Sequence, residues 1–193
     1  YMVERSTTGL APLLPRVRKS GDVILTGGAA VISNDRLVGW LTPFETRGLN
    51  ILKNEFMGSD YEVECPFHPG EKINVSVVKT NARHRLVREG KTLVLKILVR
   101  GVFETTEFTG EHGPQEEMSK ELTRRVAAMI LNETTVALEK ARELKADVIG
   151  IGKKIKAEQN KVWQEMNWEE EFPTFPVEIE VKMEWAQTIR RLS

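Results

Sequence analysis

The feature that most constrains the fold is the stretch from Pro114 to Ala146, the longest run of the chain without glycine or an internal proline. Its apolar residues recur at steps of three and four, which is the spacing of one helix face. They are Met118, Leu122, Val126, Met129, Ile130, Val136, Ala137, Ala141 and Leu144. Such a helix spans about 50 Å, which is longer than a small domain is wide. Its apolar stripe therefore needs a cover, either a sheet of the same chain or, in part, a partner protein.

Alternating segments predict the strands that would cover this helix. Residues 72–87 and 92–106 alternate in polarity around a short glycine turn, which is typical of a long antiparallel hairpin. Residues 177–189 alternate in the same way, and we expect this last strand to pair with the hairpin. Shorter strands are predicted at 22–32, 36–41 and 60–67. We expect one end of the long helix to overhang the sheet and to be exposed.

Two shorter helical segments complete the pattern. The first covers residues 42–55 and begins with the capping-box sequence of Thr42, Pro43 and Glu45. One face of this helix would carry Phe44, Leu49 and Leu52. The second follows the long helix and would carry Trp163, Met166 and Trp168. Strands first and helices later predict an α+β fold, with a mainly antiparallel β-sheet, one long helix packed on one face, and shorter helices.

Composition is that of an ordinary globular protein, with 40% apolar and 29% charged residues. Residues 1–20 lack periodicity, so we interpret them as a linker or the tail of a preceding domain, and 21–193 as the main α+β domain. The residues at the start of the sequence show no signal-peptide pattern, and we expect them to come from the middle of a longer polypeptide.

Basic and acidic residues number 28 each, so charge favours neither nucleic acid nor anionic lipid as a partner. No apolar run approaches the roughly 20 residues of a membrane span.

Two short motifs suggest ligand sites, and both are incomplete. Residues 149–154, IGIGKK, resemble a phosphate loop but lack its first glycine and its Ser or Thr. We interpret them as the boundary between two helices, with Gly150 or Gly152 at positive φ. Cys65 and His68 are spaced like half of a zinc site, but a second pair of ligands is absent from the sequence around His84 and His112. A single cysteine also excludes an internal disulfide.

No sequence pattern marks a catalytic centre. The chain has no G-x-S-x-G elbow, and its three histidines leave a Ser-His-Asp site open without pointing to one. We interpret Glu169–Glu171 as a solvated turn and discount the glycosylation pattern at Asn132, which lies within the long helix. Trp163, Trp168 and Trp185 suit core packing better than ligand stacking. The sequence therefore assigns no catalytic, cofactor-binding or metal-binding residue.

Three segments resemble one protein family. ILTGGAAVISNDRLVGWLTPFETRGLNIL, at 24–52, is similar to a segment in which a strand ending in G-x-A-V-F leads to L-V-G-x-L and E-T-x-G. ARELKADVIGIGKKI, at 141–155, resembles a helix end with A-D-x-F-G-F-G. WQEMNWEEEFPTFPVEIEVKM, at 163–183, resembles W-x-x-x-N-W-x-x-x-F-P-x-x-x-V-x-V-x-V. Together with LPRV at 14–17 they cover nearly the whole chain, and they are the pattern of the Ger(x)C family. Isoleucine replaces the family's phenylalanine at Ile32, Ile149 and Ile151.

The Ger(x)C family comprises the C subunits of spore nutrient germinant receptors. The resemblance implies a lipoprotein that an acylated N-terminal cysteine anchors to the outer face of the spore's inner membrane. It implies integral-membrane A and B subunits as partners, a role in nutrient-triggered germination, and no catalysis. The sequence DYEVE before Cys65 is neither apolar nor preceded by a signal, so Cys65 is not the lipid-bearing residue. The chain would then be the C-terminal domain with the end of the middle domain.

Three functional hypotheses follow. The first is a non-enzymatic receptor subunit that acts through protein–protein assembly. The second is a module that binds the nutrient directly, which the four tryptophans and the glycines beside the strands suggest. The third is an enzyme such as a peptidoglycan hydrolase, which would need a buried carboxylate or metal site. An exposed apolar patch beside the helix at 114–146 would favour assembly, whereas an enclosed pocket would favour ligand sensing.

Overall fold

The computed structural model describes residues 10–105 and 115–186. Two β-sheets and a set of helices make up this part of the chain, and the α+β prediction is confirmed. In chain order the elements are β1 (Leu13–Ser20), β2 (Val23–Ser33), β3 (Arg36–Leu41), α1 (Pro43–Lys53), β4 (Ser59–Glu64), β5 (Lys72–Glu89), β6 (Thr92–Thr105), α2 (Gln115–Glu143), α3 (Ile151–Glu158), α4 (Asn160–Glu165), α5 (Trp168–Glu171), a 3-10 turn (Phe172–Thr174) and β7 (Val177–Trp185).

The larger sheet has four strands in the order β4-β5-β6-β7. Strands β4, β5 and β6 are antiparallel, and the predicted hairpin at 72–106 is present as β5 and β6. Strand β7 pairs with β6 as expected, but in parallel, from Val177 opposite Leu95 to Trp185 opposite Phe103. A parallel neighbour requires a crossover connection, and α2 with the shorter helices supplies it. Residues 187–189, the rest of the predicted last strand, lie outside the described residues.

The smaller sheet consists of β1, β2 and β3, paired antiparallel in chain order. Residues 13–20 therefore form a strand that the sequence did not predict, and the interpretation of residues 1–20 as a linker or the tail of a preceding domain stays a prediction. Pro15 is tolerated because β1 is an edge strand, and its pairing with β2 shifts register between Pro15 and Val17. A domain boundary near residue 20 stays a prediction. Residues 1–9 lie outside the described part.

Helix α2 forms the main wall of the core. Its buried side chains run from Met118 through Leu122, Val126 and Ile130 to Ala141. Strand β7 covers one part of this stripe and α1 another. The expected exposure of one end is wrong for the described length of the helix, because Met118 and Ala141, near its two ends, are both fully buried and α1 supplies part of the cover. Val136, a predicted member of the stripe, is 39% exposed.

Helix α1 confirms the predicted capping box. Thr42 Oγ1 accepts a hydrogen bond from the Glu45 amide at 3.2 Å, and the Thr42 amide donates to Glu45 Oε2 at 2.6 Å. Gly48 lets α1 approach α2 closely, since a Cβ there would lie 2.5 Å from the carbonyl oxygen of Glu133. Phe44 does not join Leu49 and Leu52 in the core, and its ring is exposed.

Candidate interaction site

The outer face of the smaller sheet carries a group of apolar side chains, most of them exposed, which we call the Trp40 patch. The patch consists of Leu14, Ala30, Val38 and Trp40. Leu14, Ala30 and Trp40 lie opposite one another on β1, β2 and β3, so their side chains share one face. Leu14 is 46% and Trp40 49% exposed, while Ala30 is buried between them. The guanidinium of Arg16 lies 5.2 Å from the Trp40 ring centroid, within cation–π range.

The opposite face of this sheet is part of the core. Ala29, Val31 and Leu41 are all buried there. Gly39 brings the sheet close to the end of α2, because a Cβ on Gly39 would lie 2.4 Å from Leu144 Cδ2. A sheet with one face in the core and the other in solvent normally has polar residues on the second face. The Trp40 patch departs from that pattern, so it is a candidate contact surface.

A cleft of about 720 Å³ separates β1 and β2 from α1 and the following loop. Its walls include Gly27 and Gly28 on β2 and the polar residues Thr46, Arg47 and Asn50 on α1. Gly28 has a φ of +76°, and a Cβ there would lie 2.2 Å from the Leu41 carbonyl oxygen. A side chain is therefore excluded at this position, and the backbone lines the cleft directly.

A charged cluster lies at the edge of this cleft. The Nε of Arg47 donates to Glu133 Oε1 at 2.5 Å, and the hydroxyl of Tyr61 donates to Glu133 Oε2 at 2.9 Å. The Glu133 side chain is fully buried, whereas Arg47 is 31% exposed. The Arg47 guanidinium also lies 4.5 Å from the Tyr61 ring centroid. The cluster ties α1, β4 and α2 together.

Burial determines the protonation behaviour of this cluster. It raises the pKa of Glu133, and the charge of Arg47 and the hydrogen bonds from Arg47 and Tyr61 oppose that rise. Burial also raises the pKa of Tyr61, which the neighbouring Glu133 carboxylate raises further. Because both carboxylate oxygens have donors inside the protein, the geometry fits a structural connection between elements.

The glycine-rich segment at 149–154 proves to be a structural turn. The Asp147 carboxylate accepts hydrogen bonds from the backbone amides of Gly150, Ile151 and Gly152 at 2.8, 2.9 and 2.7 Å. Trp168 Nε1 donates to the same carboxylate at 3.2 Å. Burial raises the pKa of Asp147, and these four hydrogen bonds oppose the rise. A protein carboxylate thus occupies the position at the start of α3 where a phosphate loop would hold its anion.

The prediction of positive φ at a glycine is confirmed at Gly150, where φ is 84°. Gly152 is required for a different reason, because a Cβ there would lie 2.5 Å from Trp168 Nε1. The predicted helix after α2 is interrupted, and α3, α4 and α5 take its place. Trp168 lies in the core against Phe172 and Phe175, and Trp163 packs against Trp168.

Of the remaining candidate residues, only Cys65 and His68 contact each other within the described part of the chain. Cys65 Sγ is 3.5 Å from His68 Nδ1, while His84 contacts the Leu52 carbonyl oxygen from β5. Within 10–105 and 115–186, no three His, Cys, Asp or Glu residues are arranged to hold a metal ion. His112 lies outside the described residues. Trp185 stacks on Phe103 with ring centroids 6.3 Å apart. Glu169–Glu171 form most of the one-turn helix α5, and Asn132 lies within α2.

Neither the Trp40 patch nor the Arg47–Glu133–Tyr61 cluster is among the features predicted from the sequence. A signal for the patch is present in RLVGWL at 36–41, where apolar residues occupy both alternating sets of positions. Such a strand has two apolar faces, so one of them needs a further partner. The cluster has no comparable signal, because its three residues are far apart in sequence. None of the helices in the described part of the chain is both long and apolar enough to cross a membrane.

Comparisons with known proteins agree with the motif resemblance. A family model described as spore germination B3/GerAC like, C-terminal, matches residues 27–191. No curated protein matches the chain at a significant level. The crystal structure of the GerBC protein has the same fold, with a TM-score of 0.78 at 18% identity over 94% of this chain. The match covers 58% of the GerBC chain. The motif resemblance is thereby confirmed, and the chain belongs to the spore germination B3/GerAC-like family, matching the family's C-terminal region.

Proposed function

We propose that the chain is the C-terminal part of a C subunit of a spore nutrient germinant receptor. In this proposal it acts by assembly with integral-membrane A and B subunits and catalyses no reaction. The family match over residues 27–191 supports the receptor assignment. We further propose that the full-length protein carries an N-terminal lipid anchor on the outer face of the spore inner membrane. Residues 21–193 would form its C-terminal domain.

The Trp40 patch is the observation that carries the assembly proposal. Leu14 and Trp40 are about half exposed on a sheet whose other face is already buried in the core. Aromatic residues with a neighbouring arginine are enriched in protein–protein contacts, because they bury a large area and keep a polar handle. Gly39, on the opposite face of β3, contacts Leu144, so the patch lies on the side of the sheet that faces away from the end of α2. We propose that this face meets another subunit.

A charge-bearing substitution on the patch tests this proposal in spores that carry the full-length protein. We expect Leu14→Glu with Trp40→Glu to reduce copurification with the A and B subunits and to slow nutrient-triggered germination. The matched control is Leu131→Glu with Val136→Glu, which alters two apolar residues on α2 that are 38% and 39% exposed. Normal copurification in the Leu14–Trp40 variant, or equal loss in the control, would contradict a contact at the Trp40 patch.

The cleft beside α1 supports a second candidate, direct binding of the nutrient. Its volume of about 720 Å³ is within the range of small-molecule sites, and Thr46 and Asn50 offer hydrogen-bonding groups. A thermal-shift titration with amino acids and sugars tests this function, with Asn50→Leu as the variant that removes the amide from the cleft wall at nearly unchanged size. Binding predicts a shift in the native protein that the variant loses. No shift with any of these compounds at high concentration would contradict it.

A further inference from the structure

The zero net charge of the chain conceals a strongly basic segment. Residues 78–101, which we call the basic arm, form the far end of β5, the turn and most of β6. They include seven basic residues and one acidic residue, Glu89, and therefore carry a net charge of +6. The basic residues are Lys79, Arg83, Arg85, Arg88, Lys91, Lys96 and Arg100. The rest of the chain carries the compensating negative charge.

Most of these side chains lie on the outer face of the larger sheet. On β5, exposed Lys79, Arg83 and Arg85 alternate with the inward-facing residues Thr80 and Ala82. On β6, Lys96 lies opposite Arg85 of β5, and Arg100 lies opposite Asn81 of β5. Arg88 and Lys91 flank the turn at the tip. The arm therefore presents its cations on one face and at its end.

Few acids neutralise this charge. Lys96 forms ion pairs with Glu89 and Glu178, at 2.6 and 3.1 Å. The other six basic side chains of the arm form no ion pair within the part of the chain that the structure describes. Like charges at this spacing repel one another, and an anionic partner would relieve that repulsion. The neighbouring strand β7 places Glu178 opposite Lys96 and Glu180 opposite Leu98, and it adds a further cation, Lys182, opposite Arg100.

The arm also extends beyond its neighbours in the fold. Strand β4 pairs with β5 only from Lys72 to Val77, whereas β5 continues to Glu89. The end of α1 accompanies β5 a little further, where Asn54 hydrogen-bonds both backbone groups of Ala82 and His84 contacts Leu52. Leu86 and Leu93 still pack against the core, whereas residues 88–92 at the tip are all exposed. An exposed basic end is well placed to meet a broad anionic surface.

We propose that the basic arm binds the anionic headgroups of a phospholipid membrane. The inference rests on the proposed function for its setting, since a receptor subunit at a membrane lies close to such headgroups. Charged residues at a sheet edge also prevent strand pairing between molecules. That role does not account for Arg100 on the interior strand β6 or for Lys91 in the turn. Net charge alone does not favour anionic lipid as a partner, so the proposal rests on where the cations lie.

Cosedimentation of this chain with lipid vesicles tests the proposal directly. We expect binding to mixed phosphatidylcholine–phosphatidylglycerol vesicles at low salt, little binding to pure phosphatidylcholine, and loss of binding as salt is added. The variant Arg83→Gln/Arg85→Gln/Arg88→Gln should bind about a hundredfold more weakly, since each basic residue near such a surface contributes about a fivefold factor. The matched control Lys153→Gln/Lys156→Gln/Lys161→Gln removes the same charge from exposed residues of α3 and α4 and should retain most of the binding.

Three results would overturn the proposal. The first is equal sedimentation with anionic and neutral vesicles, and the second is an equal loss of binding in the two triple variants. The third is binding of the arm to poly-glutamate without binding to vesicles, which would indicate an acidic protein as the partner. The assay contains no other receptor subunit, so its outcome is independent of the assembly experiment. Thermal unfolding of each variant establishes that the fold is retained.

Discussion

Asp147 and Trp168 are joined by a hydrogen bond of 3.2 Å from the indole Nε1 to the buried carboxylate, across 21 residues of sequence. The same carboxylate accepts hydrogen bonds from the backbone amides of Gly150, Ile151 and Gly152. One side chain therefore fixes the start of α3 and anchors the aromatic cluster around Trp168. The A-D-V-I-G-I-G and N-W motifs of the sequence meet at this point, which gives both a structural reason.

Asp147→Asn should destabilise the protein by about 3 kcal/mol, because an amide has one acceptor oxygen and leaves buried N–H donors without a partner. Urea denaturation measures this loss in the free energy of unfolding. The control is Asp35→Asn, the same chemical change at an exposed turn residue with a φ of 58°, which asparagine tolerates. A loss below about 1 kcal/mol in the Asp147 variant would mean that these hydrogen bonds contribute little net stability.

Gly152→Ala should destabilise the protein by about 2 kcal/mol, since the new Cβ would lie 2.5 Å from Trp168 Nε1 and force the indole to move. Trp168→Phe removes the atoms of that contact, so the effect of Gly152→Ala should be smaller in the Trp168→Phe background. A double-mutant cycle measured by urea denaturation gives the coupling energy. Additive effects would rule out the steric explanation. Tryptophan fluorescence reports the movement independently.

Periodicity predicted the parts of the fold in which one face of an element is buried. Ile73, Val75 and Val77 on β5 and Leu122 on α2 are buried as their spacing required. Periodicity did not predict β1, because Pro15 and the exposed Val17 interrupt the pattern at a register shift in an edge strand. It also left open that β7 runs parallel to β6, which depends on the path of the whole crossover.

The functional surfaces depend on tertiary placement, and the sequence predicted them less well. Net charge counts residues without their positions, so the +0 total gave no sign of a basic arm. In the sequence, Glu133 and Arg47 are two ordinary charged residues of different helices. They form an ion pair only because α1 and α2 pack closely at Gly48. The turn after Asp147 was predictable as a helix boundary at Gly150. The four hydrogen-bond donors to the Asp147 carboxylate were not, because one of them is an indole from a distant segment.

Arg47→Met should cost about 3 kcal/mol of stability, because it leaves the buried Glu133 carboxylate without its charged partner. Adding Glu133→Gln should recover most of that loss, since a neutral amide oxygen still accepts from the Tyr61 hydroxyl. Chemical denaturation of the two variants and the native protein measures both steps. If the double variant is as unstable as Arg47→Met alone, packing of the arginine and not charge balance explains its effect.

Because of His84, the free energy of unfolding should decrease as pH falls below about 6.5. Burial lowers the pKa of His84, and the nearby charge of Lys154 lowers it further. The unfolded chain therefore binds a proton before the folded protein does, so stability is full above the unfolded pKa and is lost as pH falls towards the folded pKa. His84→Gln can still donate to the Leu52 carbonyl oxygen but does not titrate. Urea denaturation between about pH 7 and pH 5 should show a shallower decline for the variant, and parallel curves would exclude His84 as the source.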